Sequence, residues 1–228
     1  MRFLSHSQML NVFQRASIRA GLNLQYSQGF NPRPKISLPL PRPVGIESDD
    51  ELLVLSVHSD LSYCSDENSL DNFNSINKLN ELARQLPNGC DVISIDTILK
   101  KPSFQPDYAK YEFTVRPEHF NKNLINRINN LLCSESLIVE RPIDIKGRSR
   151  KGLQPLGEAL NRNKIKKIDM RDFIISIIIK QNIIIIECKI TPTGSIRILE
   201  MMELLELDTE KLACPIKRTN VKWREENN

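Results

Sequence analysis

The chain has 228 residues, 40% of them hydrophobic and 26% charged, with a net charge of +4. This is ordinary globular composition, and the length suits one large domain or two small ones, either of which can bury a core. No apolar run reaches the roughly 18–20 residues of a membrane-spanning helix. The richest run, Phe173 to Ile190, is interrupted by Lys180, Gln181 and Asn182.

In chain order, Ser5-x-x-Gln8 reads as a capping box opening an amphipathic helix. Met9, Phe13, Ala16 and Ala20 supply its apolar stripe, Asn11, Arg15 and Arg19 its polar face, and Gly21 its end. The segment from Tyr26 to Lys35 carries two prolines that forbid helix and keep the backbone extended. Strands are expected at Lys35 to Leu38, Leu52 to Val57 and Val92 to Leu99, and a helix at Leu70 to Leu86. Lys100 to Asp107, with two prolines, reads as a linker. Beyond it come a strand at Tyr111 to Val115, a helix from Pro117 to Leu132, an extended run from Leu137 to Ile145 and a long basic loop over 146–167. Phe173 to Ile179 and Ile183 to Ile190 form a hairpin whose isoleucines on both faces imply deep burial. Ser195 is expected to cap a helix through Leu205, and Ile216 to Trp223 to form the last strand.

This order predicts an α+β protein of two ferredoxin-like (β-α-β-β-α-β) halves, 1–100 and 108–228. The first half has a truncated first strand, a stub at Arg2 to Leu4. Either further residues precede it or a partner supplies the missing edge.

Charge is distributed in blocks. Residues 1–46 hold six basic and no acidic side chains; 47–140 hold 8 basic and 16 acidic; 141–171 hold 10 basic and 3 acidic; 172–228 hold 8 basic and 9 acidic. Two basic blocks separated by an acidic one point to an anionic partner. The five cysteines, Cys64, Cys90, Cys133, Cys188 and Cys214, form no CxxC pair, which argues against zinc and iron–sulfur ligation and for reduced thiols. With no signal-peptide core at Met1 to His6, the expectation is a cytoplasmic protein without membrane contact. No serine–histidine–acid set, carboxylate pair or metal cluster can be assembled, so no catalytic residue, metal or cofactor is assigned.

Arg2-Phe-Leu-Ser-His6, Arg15, Ala20-Gly21, Tyr26-Ser27-x-Gly29-Phe30-Asn31-Pro32-x-Pro34-Lys35-Ile36-Ser37 and Pro43-Val44-Gly45-Ile46-Glu47-Ser48 form one long, specific pattern. It resembles that of the radical-SAM-linked proteins, which occur as a C-terminal extension of a radical SAM enzyme or as a separate protein encoded beside one. The resemblance extends more weakly to Asp169-x-Arg171, Gly194-Ser-Ile-Arg197 and Lys217-Arg218-Thr219. It implies a radical SAM enzyme as partner but carries over no activity. Common gene neighbours of such proteins, a ribonuclease and ribosomal proteins, add an association with RNA. The chain departs from the pattern in its short first strand and at Ser7-Gln8, where many members have Leu-Asp, so no catalytic role for that Asp transfers here.

The most informative stretch is Gly29 to Lys35. Arg33 and Lys35 share one side of an extended backbone and, with Tyr26, Phe30 and Asn31, combine cationic, aromatic and amide groups as single-stranded nucleic-acid surfaces do. The same stretch also reads as a rigid connector, with Phe30 plugging the core and the prolines limiting unfolded-state freedom. Arg15 and Arg19 either extend the basic surface or form a solvated helix face. Lys146-Gly-Arg-Ser-Arg-Lys-Gly152 is a basic loop without the P-loop pattern; Arg148, Arg150 and Lys151 are its candidate phosphate contacts. Thr193-Gly194-Ser195 opens a helix whose amides either hold a phosphate or are capped by Ser195. The reading is a non-catalytic accessory that recognises substrate, RNA above all, for a radical SAM enzyme. The alternatives are an adaptor docking on that enzyme through its missing edge strand, and an RNA-processing enzyme with His6 as general base.

Overall fold

A computed structural model describes residues 1–58, 80–96, 98, 103–143, 164–192 and 194–226. The chain is mixed α+β and divides into two compact units: Met1–Phe113 with Cys214–Asn228, and Thr114–Ala213.

The first unit opens with a turn, Leu4 N–H donating to Met1 O (3.1 Å), where a stub strand was expected. Arg2 O is taken by Gly45 N–H (2.7 Å), which leaves no run of free ladder groups there. Helix α1 (His6–Arg19) carries the expected capping box: Ser5 Oγ accepts from Gln8 N–H, and Gln8 Oε1 accepts from Ser5 N–H (2.8 Å). Its end is also as expected, with Ala20 as C-cap and Gly21 at φ +70°, a conformation that costs a residue with a side chain about 1–2 kcal/mol. Met9, Phe13, Ala16 and Ala20 are buried, and Asn11, Arg15 and Arg19 are exposed. Met9 and Phe13 pack with Leu38, each such side chain contributing roughly 1.5–3 kcal/mol of burial. Ala16 and Ala20, being small, admit Leu82 of α2, whose described part is 80–85. The remainder of the expected helix, 70–79, lies outside the described residues.

β1 (Ile36–Ser37) pairs antiparallel with β3 (Val54–Leu55) in the register Ile36↔Leu55. β2 (Glu47–Ser48) runs parallel to β9 (Lys217–Glu226), which also pairs antiparallel with β4 (Ser103–Thr114). Two expectations change here. Residues 103–107 are strand and not linker: Pro106 sits at a register shift, where a proline costs the ladder nothing. Conversely, 92–96 form no strand. Their alternation is real, but Ile93 and Ile95 are exposed, and a pattern of period two becomes a strand only beside a partner.

The second unit begins with a 3-10 turn (Pro117–His119), after which Asn121 Oδ1 accepts from Leu124 N–H (3.1 Å) and starts α3 (Lys122–Cys133). Pro117 thus opens the turn and not the α-helix. β5 (Ile138–Ile143) and β6 (Lys164–Asp169) form an antiparallel ribbon, so the last part of the expected 146–167 loop is strand. β7 (Ile174–Lys180) and β8 (Ile183–Lys189) form the expected hairpin, with Gln181 left-handed at φ +54° and Asn182 Nδ2 donating to Val115 O (2.7 Å). Deep burial holds for Ile184, Ile186 and Cys188 but not for Ile175 and Ile178, which are exposed. Helix α4 (Ile198–Leu205) starts at Arg197, later than expected, and Glu200 rather than Ser195 caps it by accepting from Arg197 N–H (2.7 Å). Among the described residues no helix is long and apolar enough to cross a membrane.

Candidate nucleic-acid interface

The segment expected to carry binding forms a closed hairpin in the first unit. Lys35 N–H donates to Gln25 O (2.8 Å), Ser27 N–H to Arg33 O (2.8 Å), and Arg33 N–H to Ser27 Oγ (2.9 Å). Its root is fastened by Gln25 N–H to Ser56 O (2.8 Å) and Ser56 N–H to Lys35 O (3.0 Å), continuous with β1 and β3. Residues 28–32 make the tip, where Gly29 at φ +141° adopts a backbone closed to side-chain-bearing residues. Tyr26 faces Pro34 across the hairpin.

Phe30 does not plug the core. It is fully exposed, and Tyr26, Asn31, Arg33 and Lys35 are exposed with it. The hairpin's own backbone bonds supply its order, so the ring is free of any packing duty. The fold therefore brings five of the sequence-predicted residues into one element. Lys35 Nζ reaches Gln25 Oε1 at 3.4 Å and stays in solvent; Arg15 and Arg19 occupy the exposed face of α1. Arg148, Arg150 and Lys151 lie outside the described residues.

The other cations of the first basic block are committed internally. Arg2 pairs with Glu47 (2.9 Å) and stacks 4.8 Å from the centre of the Phe3 ring; Arg42 donates to Met1 O (3.0 Å) and Met9 Sδ (3.2 Å). Of that block, Arg15, Arg19, Arg33 and Lys35 remain to face a ligand.

A group that composition did not reveal anchors the unit. Arg218 of β9 is 0% exposed, donating to Glu51 Oε1 (2.5 Å), Leu40 O (3.3 Å) and Ser48 Oγ (3.4 Å), with its Nη1 buried and unbonded. Beside it, Asp50 Oδ2 accepts from Val221 N–H (2.7 Å), and Asp49 pairs with Lys217 (3.4 Å). Three successive acids thus clamp one strand. The signal in the sequence was Asp49-Asp50-Glu51 and Lys217-Arg218, but nothing local joins segments some 170 residues apart.

In the second unit, Arg141 of β5 holds Glu200 with two bonds (2.5 and 2.7 Å) and Ser195 O with a third (2.6 Å). Burial pushes the Glu200 carboxyl up, but the bonds from Arg141 and Arg197 N–H outweigh it and hold the group below its ordinary range. The α4 N-terminus is thereby capped by a carboxylate at Arg197 N–H, and Gly194 N–H is taken by Thr191 O (3.0 Å); Thr193 lies outside the described residues. Asp169 accepts from Leu137 N–H (2.8 Å) and Arg171 N–H (2.9 Å), which holds its carboxyl low and ties β6 to the start of β5. Burial pushes the Cys188 thiol far up, so it is unreactive. His6 opens α1 with Nδ1 buried and unbonded, and no hydrogen bond joins it to a carboxylate among the described residues.

A family model described as an uncharacterized protein conserved in bacteria (DUF2344) matches residues 1–200. The chain belongs to this family. Neither the curated proteins nor the solved structures provide a match. The matched span contains the whole Gln25–Lys35 hairpin and the acidic clamp at 49–51, and stops short of β9.

Proposed function

We propose that this chain is a non-catalytic accessory protein that recognises single-stranded RNA for a radical SAM enzyme. The observation that carries the RNA reading is the fully exposed Phe30 at the tip of a backbone-bonded hairpin, flanked by exposed Tyr26, Arg33 and Lys35. An apolar ring held in water gains from stacking on an unpaired base, worth about 1–3 kcal/mol per base, and adjacent cations add phosphate contacts. Because the hairpin is already ordered, little conformational freedom is lost on binding. The enzyme partnership rests on the sequence resemblance, and in that scheme the chain positions the substrate while the partner does the chemistry. The ferredoxin-like reading of the two halves belongs to the same proposal; the run β4-α3-β7-β8-α4-β9, with the β5–β6 ribbon inserted after α3, supports it for the second half.

The test is binding of the purified chain to single-stranded RNA across a salt titration. Affinity is expected to fall steeply with salt, and Arg33→Glu with Lys35→Glu to abolish binding without unfolding. Unchanged binding by that variant would sink the assignment. A tight complex with the enzyme that ignores salt, without RNA binding, would favour an adaptor. That adaptor would not dock by strand addition at Arg2 to Leu4, which form a turn.

A further inference from the structure

The second unit holds a polar depression that the hairpin does not account for. Along α3, Asn123, Asn126 and Asn130 recur at helical spacing and, with Arg127, Ser134 and Glu206, line an open hollow of about 310 Å³ with Leu131 as its apolar patch. The three asparagines are exposed, and their carboxamides, bonded to no side chain or backbone group among the described residues, are open to a ligand.

The wall opposite α3 breaks two local rules. Glu206 ends α4 in the left-handed region (φ 54°, ψ 35°), where glycine or asparagine is usual, and it places a carboxylate at the negative end of the helix. Its carboxylate is paired with Arg127, whose Nε also donates to Leu204 O (2.6 Å). A residue that violates local preference and is held by a specific partner marks a place where the side chain is needed. The pairing neutralises Arg127, so the hollow offers amides and a hydroxyl around little net charge. That chemistry suits a planar, neutral, hydrogen-bonding ring and not a phosphate. A carboxamide presents donor and acceptor side by side and matches the N6 amino group and N7 of adenine. The volume lies at the low end for ligand sites, suited to a single base.

We infer that this hollow reads one unpaired purine base, adenine by preference. The inference rests on the RNA reading above and adds to it what the hairpin lacks, because stacking on Phe30 accepts any base whereas paired hydrogen bonds choose one. Glu206 is a positioning residue: it holds Arg127, and Arg127 and the asparagines meet the base.

The experiment uses the full chain with its asparagine side chains labelled for NMR, titrated with adenosine and then uridine, and in parallel with oligoadenylate and oligouridylate. Adenosine is expected to shift the Asn126 and Asn130 amide signals and uridine to leave them in place. The wild type should prefer oligoadenylate by roughly tenfold, as one bidentate contact implies. Asn126→Leu with Asn130→Leu should erase the preference yet retain binding. Glu206→Gly, which restores the favoured helix end, should raise the melting temperature while weakening adenosine binding; if the asparagine variant fails to fold, this one still decides. Absence of adenosine shifts, a preference that survives both variants, or Glu206→Gly binding adenosine as wild type overturns the base site. RNA binding without preference does so too and leaves the RNA reading standing. Adenosine shifts with no binding of either RNA support the site and overturn the RNA reading instead.

Discussion

Arg33 and Arg218 are the same residue type in opposite surroundings. Arg33 stands in solvent on the hairpin, its backbone bonded and its guanidinium uncommitted by any acid among the described residues, whereas Arg218 is wholly buried in β9 and held by Glu51, Leu40 O and Ser48. One is accessible to a ligand, as the proposed function requires, and contributes little to folding; the other is sealed from any ligand and holds the unit together. Counting basic residues in a stretch therefore does not locate a binding surface; the acids already facing them must be subtracted.

The comparison breaks most forcefully at the buried pair. Glu51→Ala leaves the Arg218 charge without its acid and should cost about 3–5 kcal/mol in urea unfolding. Replacing both partners, Glu51→Leu with Arg218→Met, should recover most of that loss, because an apolar pair leaves no stranded charge. A loss under about 1 kcal/mol for Glu51→Ala would place Arg218 with the ordinary surface cations. On the exposed side, Phe30→Ala should leave stability within about 0.5 kcal/mol and weaken single-stranded RNA binding by about 1–3 kcal/mol. Chemical denaturation and binding isotherms on the same variant separate the two effects. A variant that loses stability and affinity together would return Phe30 to a structural role.

A smaller effect concerns acid. Glu200 is held below its ordinary carboxylate range in the folded chain, so its contribution is fully present above the unfolded value of 4.5 and is lost as pH falls through the lower folded value. The wild type should therefore lose stability toward acid more steeply than Glu200→Gln, which has no proton to take up there. Parallel slopes for the two proteins would show that Arg141 does not depend on the charge of Glu200.

What the sequence disclosed follows the distance over which each feature is decided. Helix α1 was legible from its cap at Ser5 to Gly21 because its cap, stripe and terminator all lie within one short segment. The β7–β8 hairpin was legible for the same reason. Val92 to Leu99 misled because alternation describes one side chain after another and carries no information about a partner strand. Pro106 misled in the other direction, because its tolerance depends on the bulge at Asp107, which forms only when β4 pairs with β9. In the candidate site the residue types and the extended backbone of Gly29 to Lys35 were readable. The outward direction of Phe30 was not, since an aromatic beside a glycine serves equally as core plug or surface tip. The clamp on β9 escaped because its halves are joined only by folding.

β9 is paired on one side with β2 and on the other with β4, so the first unit is completed by a segment made after the whole of the second. During synthesis at about 5–20 residues per second, the roughly 100 residues between β4 and β9 take on the order of 5–20 s to emerge. Over that interval the second unit, continuous in sequence, has every residue it needs, while β2 and β4 wait with open edges and the Glu51 carboxylate waits for its arginine. The first unit thus closes only after β9 has been made, whereas the Gln25–Lys35 hairpin, bonded within itself and to Ser56, does not wait for that strand.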